Sequence, residues 1–247
     1  MYELGKEAER KGEENIFVRV FPGRPLRPPS SLYSFYSDRK AKQDSLSVII
    51  GDLDSLNEDS RAHFSPTTQI IHDEDQESTD FGKAIAWCRR ATAAAPAEQP
   101  VDILALGGVG GRVDQGLSQL HHLFLFQPGS GYDEGRIYLL SEECVTILLK
   151  PGRHILRVRE KSEGEGGGGG GGGGGQEEVF GKHVGILPIK EPSVITTRGL
   201  EWDVEDWPTS FGGRVSTSNH VRPEVDIVEV ETLKEVLFTI ALKDTQA

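Results

Sequence analysis

The feature that most constrains this chain is a change of pattern near Pro151-Gly152. Before it, short β-branched runs alternate with stretches of helical periodicity. After it, only short strands separated by turn residues remain. Strand–helix alternation predicts a parallel sheet with helices packed on it, whereas closely spaced strands predict a sandwich or barrel. The expected fold is therefore an α/β domain followed by an all-β sandwich. Ser47-Val-Ile-Ile50, Gln69-Ile-Ile71, Val101–Leu106, Ile137–Leu140 and Val145–Leu149 read as the strands of the first part. Phe81, Ala84, Ile85 and Cys88 lie at helical spacing, as do Leu117, Leu120, His121 and Phe124. In the second part Val236, Phe238, Ile240 and Leu242 alternate with Leu237, Thr239, Ala241 and Lys243, which predicts a strand with one buried face.

These patterns divide the 247 residues into 1–30, an α/β region 31–150 and a β region 151–247. Met1–Ser30 carries many charges and then four prolines within Pro22–Pro29, which neither a helix nor a central strand accommodates. It is expected to be loosely attached, with Ile16–Phe21 able to add an edge strand. Gly166–Gly175 is an unbroken glycine tract flanked by glutamates. It lacks the Gly-Lys-Ser/Thr ending of a phosphate loop and reads as a flexible hairpin insertion over about 162–178.

Composition removes several classes of function. Lys and Arg number 27 against 39 Asp and Glu, a net charge of −12, which disfavours nucleic acid or an anionic membrane as the partner. No apolar run reaches the roughly 18 residues of a membrane helix, and the N-terminus has no apolar signal region. Two cysteines, Cys88 and Cys144, make neither a disulfide framework nor a zinc site. A soluble, cytoplasmic protein is expected.

Three loops that follow predicted strands carry the chemistry. Gly51-Asp-Leu-Asp-Ser55 places Asp52 and Asp54 on one side of an extended chain. Paired carboxylates at a strand's carboxyl end suit Mg²⁺, which keeps some waters and takes phosphate oxygens; a surface turn capped by its own Asp and Ser would use the same residues. His72–Asp80 holds five acids in nine positions, whose mutual repulsion a cation would relieve. Ser78, Thr79 and Asp80 equally suit caps of the following helix. Gly107-Gly-Val-Gly-Gly-Arg-Val-Asp114 lets backbone amides approach a phosphate, with Arg112 as a permanent planar cation. Together these loops are the equipment of phosphoryl transfer. His121 and His122 are adjacent on a helix, point apart and read as core or rim residues. In the β region, Trp202 suits either the sandwich core or a platform for a cationic heteroaromatic ligand. Ser216, Ser218 and Asn219 suit either a strand end or the polar contacts of a small-molecule pocket.

Gly51-Asp-Leu-Asp-Ser55, Asp75-Gln-Glu-Ser-Thr-Asp80, Gly107–Asp114, Gly199-Leu-Glu-Trp202 and Val215-Ser-Thr-Ser-Asn219 stand in the order found in the thiamine pyrophosphokinase family, which the chain resembles over about residues 45–247. The resemblance implies an α/β catalytic domain, a β-sandwich and homodimers with active sites between subunits. It implies transfer of a pyrophosphoryl group from ATP to thiamine, giving thiamine diphosphate and AMP. By the same resemblance Asp52, Asp54 and Asp80 bind Mg²⁺ and are catalytic. Gln76, Thr79, Arg112 and Asp114 face ATP, with Arg112 also catalytic, and Trp202, Ser216 and Asn219 contact thiamine. The family opens with an apolar strand and a second strand ending in an Asp-Gly-Gly loop, and neither stands before Ser45 here. That departure motivates a second expectation, a relative that binds thiamine or nucleotide with impaired turnover. A Mg²⁺-dependent transferase acting on another alcohol is a third.

Overall fold

In the computed structural model, which describes residues 17–21, 47–54, 56–93, 101–107, 109–159 and 179–243, the β-branched runs of the first half are strands. The chain divides into two compact units between Ser141 and Glu142, and each is described by itself. The first unit contains β1 (Phe17–Phe21), β2 (Val48–Gly51), α1 (Glu58–Phe64), β3 (Gln69–His72), α2 (Asp80–Ala93), β4 (Asp102–Leu106), α3 (Val113–Leu125) and β5 (Ile137–Leu140). β2 and β3 run parallel with Val48 opposite Gln69 and Gly51 opposite His72. β4 and β5 are also parallel, with Ile103 opposite Ile137. The first four residues of β4 and all of β5 are buried, as strands covered on both faces should be.

The Ile16–Phe21 run does add an edge strand. β1 pairs antiparallel with β4, Phe17 opposite Leu106 and Phe21 opposite Asp102. The remainder of residues 1–30 and the glycine tract lie outside the described residues. Helix α1, which the periodicity did not announce, is started by Asn57, whose side chain accepts the Ser60 amide at 2.8 Å.

The two longer helices behave differently. α2 buries Phe81, Ile85 and Cys88 as their spacing predicts. α3 is rotated from the expected stripe: Gly116, Gln119, His122 and Leu123 face inward, and Leu117 is 56% exposed. The rotation follows from His122, whose ring finds a polar partner across the helix pair and so stays inside.

The second unit is built from antiparallel strands: β6 (Cys144–Leu149), β7 (Gly152–Arg157), β8 (Phe180–Leu187), β9 (Ser193–Arg198), β10 (Trp207–Thr209), β11 (Ser216–His220), β12 (Ile227–Thr232) and β13 (Val236–Leu242). One set is ordered β6-β13-β8-β11 and a second sheet is ordered β10-β9-β12-β7. β6, placed by sequence in the α/β region, pairs along its length with β13, from Val236 opposite Leu149 to Ala241 opposite Cys144. β13 is central, and Leu237 is buried along with Val236, Phe238 and Ile240, so the strand is covered on both faces at its start. Truncating Phe238, which is 2% exposed, should remove about 3–5 kcal/mol of stability. Urea unfolding of Phe238→Ala checks this; a loss below about 1 kcal/mol would mean that the site repacks or that this core is dispensable.

Candidate active site

β2 stops at Gly51, and the next residues do not continue its alternation. Leu53 has a φ of 62°, a left-handed conformation that a β-strand excludes. The Asp54 amide donates to Asp52 Oδ1 at 3.1 Å. Asp52 and Asp54 thus lie in an Asx turn and not in extended strand, which corrects the strand alternation expected for them. Asp80 opens α2 and lays its carboxylate on the same backbone. Its Oδ1 accepts the Asp52 amide at 3.1 Å. A Cβ on Gly51 would stand 2.7 Å from Asp80 Cγ and Oδ1, so the missing side chain is what admits the carboxylate. Backbone amides thus tie Asp52 to the Asp80 carboxylate and Asp54 to the Asp52 carboxylate at the end of β2.

The acidic loop relieves most of its own repulsion. Asp73 accepts the Asp75 amide at 3.2 Å, and Asp75 accepts the Glu77 amide at 2.9 Å and the Ser78 hydroxyl at 2.7 Å. These bonds hold the Asp75 carboxyl below the usual carboxylate range, the Ser78 hydroxyl being the largest cause. Beneath the loop lies Lys83, only 4% exposed, a residue that sequence reasoning missed. Its ammonium donates to the Asp73 carbonyl at 2.9 Å and sits 3.6 Å from Asp80. The signal was its i+3 spacing from Asp80 on a helix. Gln76 is exposed in this loop.

Thr79 caps α2. Its hydroxyl accepts the Gly82 amide at 3.1 Å and meets His122 Nε2 at 2.8 Å. His122 Nδ1 contacts the Ser118 carbonyl, which can only accept, so Nδ1 carries the proton and Nε2 receives the Thr79 hydroxyl. Burial pushes the His122 pKa down from 6.5, in keeping with a neutral ring. His122 is thus a core histidine with a defined task, while His121 is exposed.

The glycine-rich loop leaves β4 with Gly107 at φ 96° and turns into α3 with Gly111 at φ 54°. Arg112 stands at the N-cap of α3 and gives no side-chain cap, leaving the first helical amides to other acceptors. Its guanidinium forks onto Asp114, with Nε to Oδ1 at 3.1 Å and Nη2 to Oδ2. Each charge stabilises the other, raising the Arg112 pKa and lowering that of Asp114. The pair is exposed and adds little stability; its effect is to fix the direction of the guanidinium.

In the second unit Trp202 is 56% exposed, which corrects its reading as sandwich core. Asn219 is 5% exposed and spends its amide on the tryptophan backbone: Oδ1 accepts the Trp202 amide at 3.2 Å, and Nδ2 donates to the Trp202 carbonyl at 2.9 Å. Asp203, also missed, organises this turn by accepting from the Gly199 and Leu200 amides and the Thr197 hydroxyl. Ser216 lies opposite Ile186, and the register between β11 and β8 shifts between Ser216 and Asn219, where Ser218 adopts φ 58°. That bulge turns Asn219 inward.

No group of three or more His, Cys, Asp or Glu side chains forms a metal cage among the described residues. Mg²⁺ seldom uses such cages; it takes one or two carboxylates, several waters and substrate phosphates. The carboxylates of Asp52, Asp54 and Asp80 are hard oxygen donors at least partly open to water, which fits that mode of binding. The capping pair yields a separate prediction. A histidine whose folded pKa is depressed contributes stability that is present above about pH 6.5 and lost as pH falls through the folded value. Charging His122 also forces Nε2 to become a donor, so the Thr79 hydroxyl loses its acceptor. Unfolding free energy should therefore decline more steeply below about pH 6.5 in the parent chain than in His122→Asn. Equal slopes in the two proteins would contradict the assignment.

Comparison with known proteins places both halves of the chain. Residues 30–130 match the family model described as thiamin pyrophosphokinase, catalytic domain, and residues 174–237 match thiamin pyrophosphokinase, vitamin B1 binding domain. The chain is 32% identical to thiamine pyrophosphokinase 3 of Oryza sativa subsp. japonica, over 91% of this chain and 75% of that protein. It is 34% identical to thiamine pyrophosphokinase 2 of Arabidopsis thaliana, over 80% of this chain and 66% of the relative. Its fold is similar to that of thiamin pyrophosphokinase from Candida albicans, with a TM-score of 0.66 at 19% identity, covering 87% of this chain and 78% of the other. The chain belongs to the thiamine pyrophosphokinase family.

Proposed function

We propose that this protein transfers the terminal pyrophosphoryl group of ATP to the hydroxyl of thiamine, giving thiamine diphosphate and AMP. The observation that carries this is the coincidence of two things. The catalytic-domain match spans Asp52, Asp54, Asp80 and the glycine–arginine loop, and the vitamin B1 match spans the Trp202–Asn219 assembly. In domain terms the α/β region is the catalytic part and the β region, read as a sandwich, carries the thiamine pocket.

The thiamine hydroxyl oxygen bonds to the β-phosphorus of ATP and gives up its proton to solvent. The bond from that phosphorus to the bridging oxygen of the α-phosphate breaks, and AMP leaves with the electron pair. Asp52, Asp54 and Asp80 are the residues that would hold Mg²⁺, which supplies charge neutralisation on phosphate oxygens when bound. Arg112, aimed by Asp114, meets the charge that grows on the transferred group. Gln76 and the backbone around Thr79 line the nucleotide side, and a carboxylate of the β2 loop orients the attacking hydroxyl. Trp202 stacks on the cationic thiazolium or the pyrimidine, with Ser216 adding a polar contact. Asn219 serves that ring through its backbone bonds. A cytoplasmic homodimer that completes its sites between subunits belongs to the same proposal. Net negative charge is compatible with it, since thiamine is a cation.

Thiamine-dependent AMP release separates the roles. Asp54→Asn should lose more than about a hundredfold in rate with its melting temperature unchanged, as expected when transition-state charge is left unmatched. Near-parental turnover would remove Asp54 from the metal site. Trp202→Ala should raise the KM for thiamine far more than that for ATP; equal increases would make Trp202 a structural residue.

A further inference from the structure

A tryptophan more than half exposed is usually mobile at its ring, yet this one is fixed on several sides. Its backbone is clamped at both polar atoms by Asn219. The preceding residue is stitched to β11 by the Glu201 amide, which donates to the His220 carbonyl at 2.8 Å. Leu200 and Val221 form a bridge just beside it. The ring itself meets the imidazole of His220, with centroids 5.2 Å apart and planes inclined by 46°.

His220 is in turn held. Its Nδ1 donates to Glu201 Oε2 at 2.7 Å, and its ring meets the edge of His183 on β8 with centroids 4.8 Å apart. The bulge that turns Asn219 inward is what delivers the next residue, His220, to the indole. Glu201, Trp202, Asn219 and His220 thus form one closed unit from two short segments, and neither Glu201 nor His220 takes part in the reaction described above.

We propose that His220, braced by Glu201, is a positioning residue that holds the Trp202 indole in the orientation used to receive a flat cationic ring. This rests on the reading of Trp202 as the thiamine platform. Fixing an aromatic platform before binding removes the cost of ordering it on binding. The Glu201 carboxylate also brings negative charge beside the platform, which favours a cation and not ATP.

The experiment is steady-state kinetics of full-length His220→Ala, His220→Gln, Glu201→Gln and Trp202→Ala, with thiamine and ATP varied in turn, beside thermal melting of each. His220→Ala should raise the KM for thiamine by about three- to tenfold, the range of one aromatic–cation contact, while the KM for ATP and kcat stay within about twofold. Glu201→Gln should give a smaller rise in the same constant. His220→Gln, which keeps a donor for Glu201 but loses the ring, should behave like His220→Ala and covers the case in which alanine perturbs folding. An unchanged thiamine KM in both His220 variants, with Trp202→Ala strongly impaired, would overturn the positioning role alone. Unchanged thiamine constants in Trp202→Ala as well would instead overturn the platform beneath it. A fall in melting temperature with equal changes in both substrates' constants would make His220 structural and overturn the proposal.

Discussion

The carboxylate of Asp80 rests on the bare backbone of Gly51, and the organisation of the first unit's candidate site depends on that contact. It exists because β2 ends in a residue without a side chain and because α2 begins with Asp80 directly above it. A methyl group at Gly51 would occupy the position of the carboxylate. The contact then fixes three other things. The Asp52 amide is engaged, so the Asx turn to Asp54 follows. Lys83, one helical turn on, is carried beneath the acidic loop to the Asp73 carbonyl. Thr79, one residue before, is left to cap α2 and reach His122. One close approach of a side chain to backbone thus connects the strand end, the acidic loop and the helix pair.

The second unit solves a similar problem by different means. Its candidate platform is an exposed tryptophan on a short turn, and turns are seldom rigid. Here Asp203 closes the turn from within and Asn219 clamps it from β11. Asp203 and Asn219 spend their side chains on neighbouring backbone and so fix the turn that carries the tryptophan. The same division appears at Arg112, where Asp114 holds the guanidinium and leaves its charge exposed.

Much of this was legible in the residues. The runs Val48–Gly51, Gln69–His72 and Val236–Leu242 declared themselves because β-branched and alternating residues have few other uses. The loops that carry Asp52, Asp54 and Asp80 were legible because each follows a strand or opens a helix. Other features were hidden for physical reasons. β7 and β10 carry arginines, a histidine and a proline in place of an apolar alternation, so nothing in their pattern marks a strand. The inward face of α3 was misjudged because periodicity ranks leucine above histidine, whereas His122 has a threonine hydroxyl waiting across the helix pair. Thr79 suited either a cap or a ligand contact, and its hydroxyl is engaged in a cap. Asp203 and Lys83 act through backbone atoms brought close by the fold, which a linear pattern does not display.

The central claim is that a two-phosphate unit moves in a single step to thiamine. Incubating the purified chain with Mg²⁺, thiamine and ATP labelled at the β-phosphorus tests it most directly. The label should appear in thiamine diphosphate with one AMP formed per product, and omitting thiamine should abolish both. Release of ADP with thiamine monophosphate, or ATP breakdown at the same rate without thiamine, would contradict it.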